Sequence, residues 1–120
     1  MPRPTVTCDL WNVVVVPFPF TDRASEKRRP ALVVSRREFN RAGFTVLAMV
    51  TSAGHGGWPG DTPIADLAAA GLKAESMVRL KLFTLDNRLI LRRLGELSKL
   101  DRRAVRDSLE SFLDWSGRDH

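Results

Sequence analysis

From Leu10 to Phe18 (LWNVVVVPF) the chain runs with almost no polar interruption. The valines Val13 to Val16 are stiff at χ1, crowd a helix and pack well in a pleat. The run therefore predicts a strand buried on both faces or inside a small barrel, ended by Pro17 and Pro19. Residues 21–29 (TDRASEKRR) are polar and charged and predict a loop. Pro30 then biases Arg29 toward an extended backbone as the chain enters a second strand, Ala31–Ser35. A third strand is predicted over Phe44–Val50, and the glycines and proline of SAGHGGWPGD (52–61) predict a long irregular loop after it.

Ile64–Leu72 (IADLAAAGL) supports two assignments, because its alanines favour helix while its short length and Gly71 allow a strand and turn. Met77–Leu85 and Leu89–Leu94 predict two further strands joined by a turn at Asp86-Asn87-Arg88. At the C-terminal end Ser98 is placed to cap a helix with Asp101 three residues on. Val105, Leu109, Phe112 and Leu113 recur at helical spacing and predict the face that packs on the sheet. The pattern as a whole predicts an α+β fold, a small and strongly bent antiparallel sheet or barrel with a C-terminal helix, in one domain over residues 1–120.

Composition narrows the classes. A chain with 43% hydrophobic and 28% charged residues is ordinary for a globular domain. No apolar run approaches the roughly 20 residues that span a bilayer. The lead MPRPTVT has no apolar h-region, so a cytoplasmic protein is expected. The single cysteine, Cys8, cannot form an internal disulfide and reads as a small packed residue. A net charge of +5 predicts an anionic partner, and its distribution sharpens this. Residues 1–60 hold eight Lys/Arg against four Asp/Glu, whereas residues 61–120 hold eleven against ten. The excess flanks one strand, in Arg23, Lys27, Arg28, Arg29, Arg36, Arg37 and Arg41.

Two histidines, His55 and His120, and one cysteine make no zinc signature, and no phosphate-binding glycine loop is present, so no metal or cofactor is expected. What remains is a basic rim with a hydroxyl pair, Thr51-Ser52. If the second and third strands are antiparallel neighbours, Arg29 at the start of one meets Thr51 at the end of the other, and both converge on one anion. The competing account makes them a structural pair, one covering the barrel mouth and one ending a strand.

PFPFTD (17–22), KRRPALVVS (27–35), AMVTS (48–52), WPGD (58–61), AAGL (69–72) and SMVRLKLFTLD (76–86) fall in an order and spacing that resemble the MazF/PemK-like toxins of bacterial toxin–antitoxin modules. The resemblance covers roughly residues 8–114. It implies an SH3-like barrel with an added helix, a homodimer, and a sequence-selective endoribonuclease that cleaves single-stranded mRNA without metal. It also implies a cognate acidic antitoxin. Arg29 matches the family arginine placed at the scissile phosphate, and Thr51 matches the hydroxyl at the end of the third strand. Arg79 matches an arginine that some members use as general acid or anion stabiliser. Two departures stand out. Where many relatives begin the first strand with Gly-Asp this chain has Cys8-Asp9, and Lys81 replaces an acidic residue two positions after the arginine, leaving the base unassigned.

Such cleavage deprotonates a 2′-hydroxyl, stabilises a pentacoordinate phosphorane and protonates the leaving 5′-oxygen, so the expected ends are a 2′,3′-cyclic phosphate and a 5′-hydroxyl. Arg29 and Arg79 suit the second task through the guanidinium fork, and Thr51 would orient the phosphate or the 2′-hydroxyl. His55 is the nearby side chain with a base's unperturbed pKa, weighed against a solvated loop residue. Lys27, Arg28, Ser52, Trp58 and Lys81 are the expected RNA contacts. Lys27 and Arg28 are weighed against a solvated charge run, and Trp58 against a packed loop anchor. Arg102, Arg103 and Arg106 alternate with Asp101, Asp107 and Glu110 and predict an ion-paired exposed helix face. Two other functions fit the same resemblance: a catalytically silent RNA- or protein-binding barrel, and a toxin that binds and inhibits a DNA topoisomerase.

Overall fold

The computed structural model describes residues 7–17, 27–54 and 56–113. Its strands are β1 (Asn12–Pro17), β2 (Arg28–Val33), β3 (Phe44–Ser52), β4 (Thr62–Pro63), β5 (Ser76–Asp86) and β6 (Arg92–Glu96). Its helices are α1 (Arg37–Asn40), α2 (Leu67–Ala70) and α3 (Lys99–Phe112), with a 3-10 turn at Asn87–Leu89. The strands form one antiparallel sheet in the order β4-β5-β3-β2-β1-β6.

This order forces the sheet to curl. β5 and β6 follow each other in sequence, yet β6 pairs with β1, at the far end of the sheet from β5. In a flat sheet four strand spacings of about 4.8 Å would separate them by ~19 Å. The connection is partly wound into the 3-10 turn and reaches less than its extended ~20 Å, so the two ends of the sheet bend toward each other into a half-barrel.

The curl gives two packed faces. One carries Trp11, Val13, Leu32, Ala48, Val50 and Val78, covered by Ile64, Ala70 and the Val105 and Leu109 stripe of α3. The other carries Cys8, Val14, Val16, Ala31, Val33, Leu47, Leu85 and Ile90. Val13 and Val14 point to opposite faces and both are fully buried, as the unbroken apolar run predicts. Burial pushes the Cys8 thiol pKa up, which suits a packed residue.

Several boundaries differ from the sequence expectation for local reasons. β1 begins at Asn12, because Asp9 and Asn12 close a turn: Asp9 N–H donates to Asn12 Oδ1 at 2.9 Å and Asn12 N–H to the Asp9 carbonyl at 3.1 Å. Trp11 completes that turn at φ 76°, in the left-handed region that few large residues adopt. β2 begins at Arg28, two residues inside the expected loop, since Arg28 and Arg29 pair with Pro17 and Val16 of β1. β6 begins at Arg92 because Asp86 caps the 3-10 turn, accepting from Arg88 N–H at 2.9 Å. Ile64–Leu72 resolves in favour of helix at α2, capped by Asp66 and stopped by Gly71 at φ 74°. A Cβ on Gly71 would lie 2.3 Å from the Leu94 carbonyl oxygen, so α2 packs backbone to backbone on β6.

α3 starts as expected, with Asp101 N–H donating to Ser98 Oγ at 3.2 Å. Its far end does not, for Phe112 is 57% and Leu113 39% exposed. Asp101 also departs from the predicted exposed face. It is buried, and its carboxylate accepts the Ala65 and Asp66 N–H groups, each at 2.9 Å. Arg102 pairs instead with Glu96 of β6 at 2.9 Å, and Arg106 lies over the Trp11 ring at 5.6 Å. A second buried polar set joins α1 to β3 and the 3-10 turn. Asn40 donates to the Cys8 carbonyl at 2.8 Å, Thr45 to Asn87 Oδ1 at 2.7 Å and Asn87 to the Asn40 carbonyl at 2.6 Å.

Candidate active site and nucleic-acid interface

Strand register assembles the candidate residues. Val16 of β1 faces Arg29, Ala31 of β2 faces Met49, Met49 of β3 faces Arg79, and Thr51 faces Met77. Residues directly opposite in an antiparallel pair project to the same face. Continuing the β2–β3 register two residues past Ala31↔Met49 sets Arg29 across from Thr51, so Arg29, Thr51 and Arg79 share one face of three neighbouring strands. The β2–β3 pairing starts at Ala31, just after Pro30, the residue without an N–H for a ladder. Thr51 is buried, while Ser52, next to it, is exposed on the other face.

A bulge shapes this region. Ala48 pairs with Leu82 and Met49 with Arg79, so β5 carries two extra residues, Leu80 and Lys81, across this step of the β3 ladder. The extra residues bend β5 beside Arg79 and re-aim its side chain. The guanidinium is gripped there: Nε donates to Asp61 Oδ1 at 3.1 Å and Nη2 to Asp61 Oδ2 at 3.0 Å. Nη2 also donates to the Gly56 carbonyl at 3.0 Å, which ties the long loop to β5 at Gly56. The pair is mostly shielded, with side chains 13% and 11% exposed. The hydrogen bonds to Asp61 raise the Arg79 pKa above its ordinary value, so the group holds its proton more firmly than a free arginine.

Trp58 stands beside this couple. Its backbone N–H donates to Asp61 Oδ2 at 3.2 Å, and its ring lies 5.6 Å from the Arg79 guanidinium and 6.0 Å from the Lys81 ammonium. At 41% exposure Trp58 is not the packed loop anchor that was its competing assignment; it is an exposed ring flanked by two cations. Lys27 and Arg28 are exposed at the start of β2. His55 lies outside the described residues, as does His120. Among the described residues no three of His, Cys, Asp and Glu come together as a metal site would need.

Sequence reasoning passed over Asp61. It stands in the quoted WPGD, but the signal that gives it a role is a strand of two residues: Thr62 faces Val78, and one step back along that register Asp61 faces Arg79. Lys81 leaves the position two after the arginine without a carboxylate. Tertiary pairing supplies one from β4's edge instead.

Among curated proteins no sequence matches this chain. Solved structures do. MazE–MazF from Deinococcus radiodurans is 26% identical, over 88% of this chain and 95% of that one, with a TM-score of 0.69. Mycobacterium tuberculosis toxin MazF-mt6 is 23% identical over 87% of this chain and 99% of that one, at a TM-score of 0.66. An endoribonuclease in complex with its cognate antitoxin, from a mycobacterial species, is 16% identical over 91% and 97% of the two chains, at 0.68. The last two speak for the fold. The profile of the PemK-like, MazF-like toxins of type II toxin–antitoxin systems matches residues 10–113. With the curled sheet and the C-terminal helix in agreement, the chain belongs to that toxin family.

Proposed function

We infer that this toxin is a metal-independent endoribonuclease that cuts single-stranded mRNA at a short sequence, stopping translation and growth in the cytoplasm. The observation that carries this reading is the register that sets Arg29, Thr51 and Arg79 on one face. In the proposed reaction the 2′-oxygen attacks the adjacent phosphorus and the bond to the 5′-oxygen breaks, leaving a 2′,3′-cyclic phosphate and a 5′-hydroxyl. Arg29 donates to the charged phosphorane, and Thr51 orients the phosphate or the 2′-hydroxyl. Arg79, kept cationic by Asp61, acts as anion stabiliser and not as proton donor; the leaving oxygen takes its proton from solvent. His55, one residue before the Gly56 carbonyl that Arg79 holds, is the candidate for the base. Lys27, Arg28, Ser52, Trp58 and Lys81 contact the RNA, with Trp58 offering its exposed ring to a base. A homodimer, and an acidic antitoxin that covers the cationic surface, complete the reading.

The test is the chemistry of the ends. Purified protein incubated with mixed RNA in EDTA is expected to leave 5′-hydroxyl ends and cyclic phosphates. Ends carrying a 5′-phosphate, or cleavage that needs added magnesium, would overturn the mechanism. A second reading, a binding barrel without cleavage, draws on the ion pair that already engages Arg79. It predicts RNA binding with every input molecule intact.

Asp61 gives a sharper check. Asp61→Asn keeps the side chain's shape but removes the charge and one of the two acceptors that orient Arg79. Single-turnover cleavage is expected to fall about tenfold to a hundredfold, with RNA affinity within a few-fold. Unchanged turnover in a folded variant would mean that the orientation of Arg79 does not matter to the reaction.

A further inference from the structure

Asp61, the carboxylate that engages Arg79, is itself held from the far side of the sheet. Trp58-Pro59-Gly60-Asp61 closes a turn in which the Asp61 N–H donates to the Trp58 carbonyl at 3.0 Å. Proline second and glycine third, with Gly60 at φ 82°, is the pattern of a type II turn. The chain then enters β4, where Thr62 faces Val78. Side chains alternate along such an edge, so Asp61 turns to the face of Arg79 while Gly60 and Thr62 lie on the face that α3 covers. Val78 and Leu80 of β5 belong to the core on that same face.

The last two turns of α3 hold both neighbours of Asp61. A Cβ on Gly60 would lie 3.0 Å from Phe112 Cε2, 3.2 Å from Phe112 Cδ2 and 3.0 Å from Leu80 Cδ1, so the edge of the Phe112 ring closes the space a side chain would fill. Thr62 Oγ1 donates to the Gly60 carbonyl at 3.0 Å and stands 2.9 Å from Ser108 Oγ. A hydroxyl has one proton, and that of Thr62 goes to Gly60, so Ser108 is the donor to Thr62. Ser108 and Phe112 are four residues apart and share one face of α3. That face fixes residues 60 and 62 and leaves Asp61 between them little freedom to turn. The support matters because β4 has only two residues, too few ladder bonds to hold a carboxylate by themselves.

We propose that Phe112 and Ser108 are positioning residues of the active site, which clamp Gly60 and Thr62 so that Asp61 holds the Arg79 guanidinium on the face of Thr51. The proposal rests on the endoribonuclease reading, in which Arg79 must be aimed at a phosphate. The exposure of Phe112 fits this role. A ring left 57% in solvent gains little from burial, and what it covers is Gly60.

The experiment follows the Arg79 Nε–H signal by NMR in full-length nitrogen-labelled protein, identified by its loss in Arg79→Lys, beside single-turnover cleavage and RNA affinity. Solvent exchange of this proton reports the bond from Nε to Asp61. Phe112→Ala, Ser108→Ala and Phe112→Tyr are compared with Leu100→Ala, which truncates a 65% exposed side chain at the other end of α3. Phe112→Ala and Ser108→Ala are each expected to speed exchange at least about threefold and to slow cleavage about threefold to tenfold, with RNA affinity within about twofold. Phe112→Tyr keeps the ring edge and is expected to restore both readouts, and Leu100→Ala to behave as wild type. Wild-type exchange in both Phe112→Ala and Ser108→Ala overturns the proposal, and so does faster exchange with unchanged cleavage. Equal effects in Leu100→Ala would mean a general softening of the helix and overturn it as well. Faster exchange in the two variants of a protein whose wild type leaves RNA whole defeats the endoribonuclease reading, while the clamp on Asp61 stands.

Discussion

Arg29→Ala is expected to lower RNA cleavage by at least about 10²- to 10³-fold, the usual loss when one preorganised donor to a developing oxyanion is removed. The variant should melt near the wild-type temperature, since Arg29 lies at the open end of β2 and is only half-buried. Its backbone is set by the strand: it pairs with Val16 and is followed by Pro30, so the guanidinium starts from a fixed point. Arg29→Lys should restore little, because an ammonium cannot reproduce two parallel bonds to a phosphate. Thr51→Val keeps the β-branched shape of a buried strand residue and deletes only the hydroxyl. It should reduce turnover while leaving RNA affinity within a few-fold. A well-folded Arg29→Ala protein that cleaves within a few-fold of wild type would make the strand-mouth arginine structural.

Asp101→Ala is expected to produce the largest loss of stability. The carboxylate is 2% exposed and accepts the N–H groups of Ala65 and Asp66, at 2.9 Å each, while its own N–H is capped by Ser98. Truncation strands two backbone donors at the junction of β4, α2 and α3, each at a cost of about 1–3 kcal/mol. A total near 3 kcal/mol corresponds to a fall of roughly 10–15 °C in Tm for a chain of this size. Asp101→Asn should recover only part of this, since its amide presents a donor where two donors already point. Thermal or urea unfolding measures both; a Tm within about 3 °C of wild type for Asp101→Ala would show that the junction tolerates the loss.

The parts of the site legible in the chain are those that local chemistry sets. EKRRP announces a cation held by a proline at a strand's entrance, and AMVTS announces a hydroxyl at a strand's end. Their placement on one face also follows from simple antiparallel pairing, and the observed register, extended two residues past Ala31↔Met49, agrees with it. Asp61 was hidden because its partner is 18 residues away across a two-residue strand, too short for any periodic signal. Trp58 was ambiguous for a similar reason: composition cannot say whether a loop tryptophan packs or stays exposed between two cations.

The sequence by itself determined the doubly buried β1, whose valines fit a pleat better than a helix. It also determined the Ser98 cap of α3 and the concentration of positive charge around β2. Those features arise from steric and electrostatic preferences between near neighbours in the chain. Only the tertiary structure decided that β6 lies beside β1, that the bulge at Leu80-Lys81 aims Arg79 at Asp61, and that Asp101 turns inward. It alone set the end of α3 against the two neighbours of Asp61. Each of these depends on which distant segments share a register or a buried junction, and that choice is made by the closure of the whole sheet, through contacts that local periodicity does not encode.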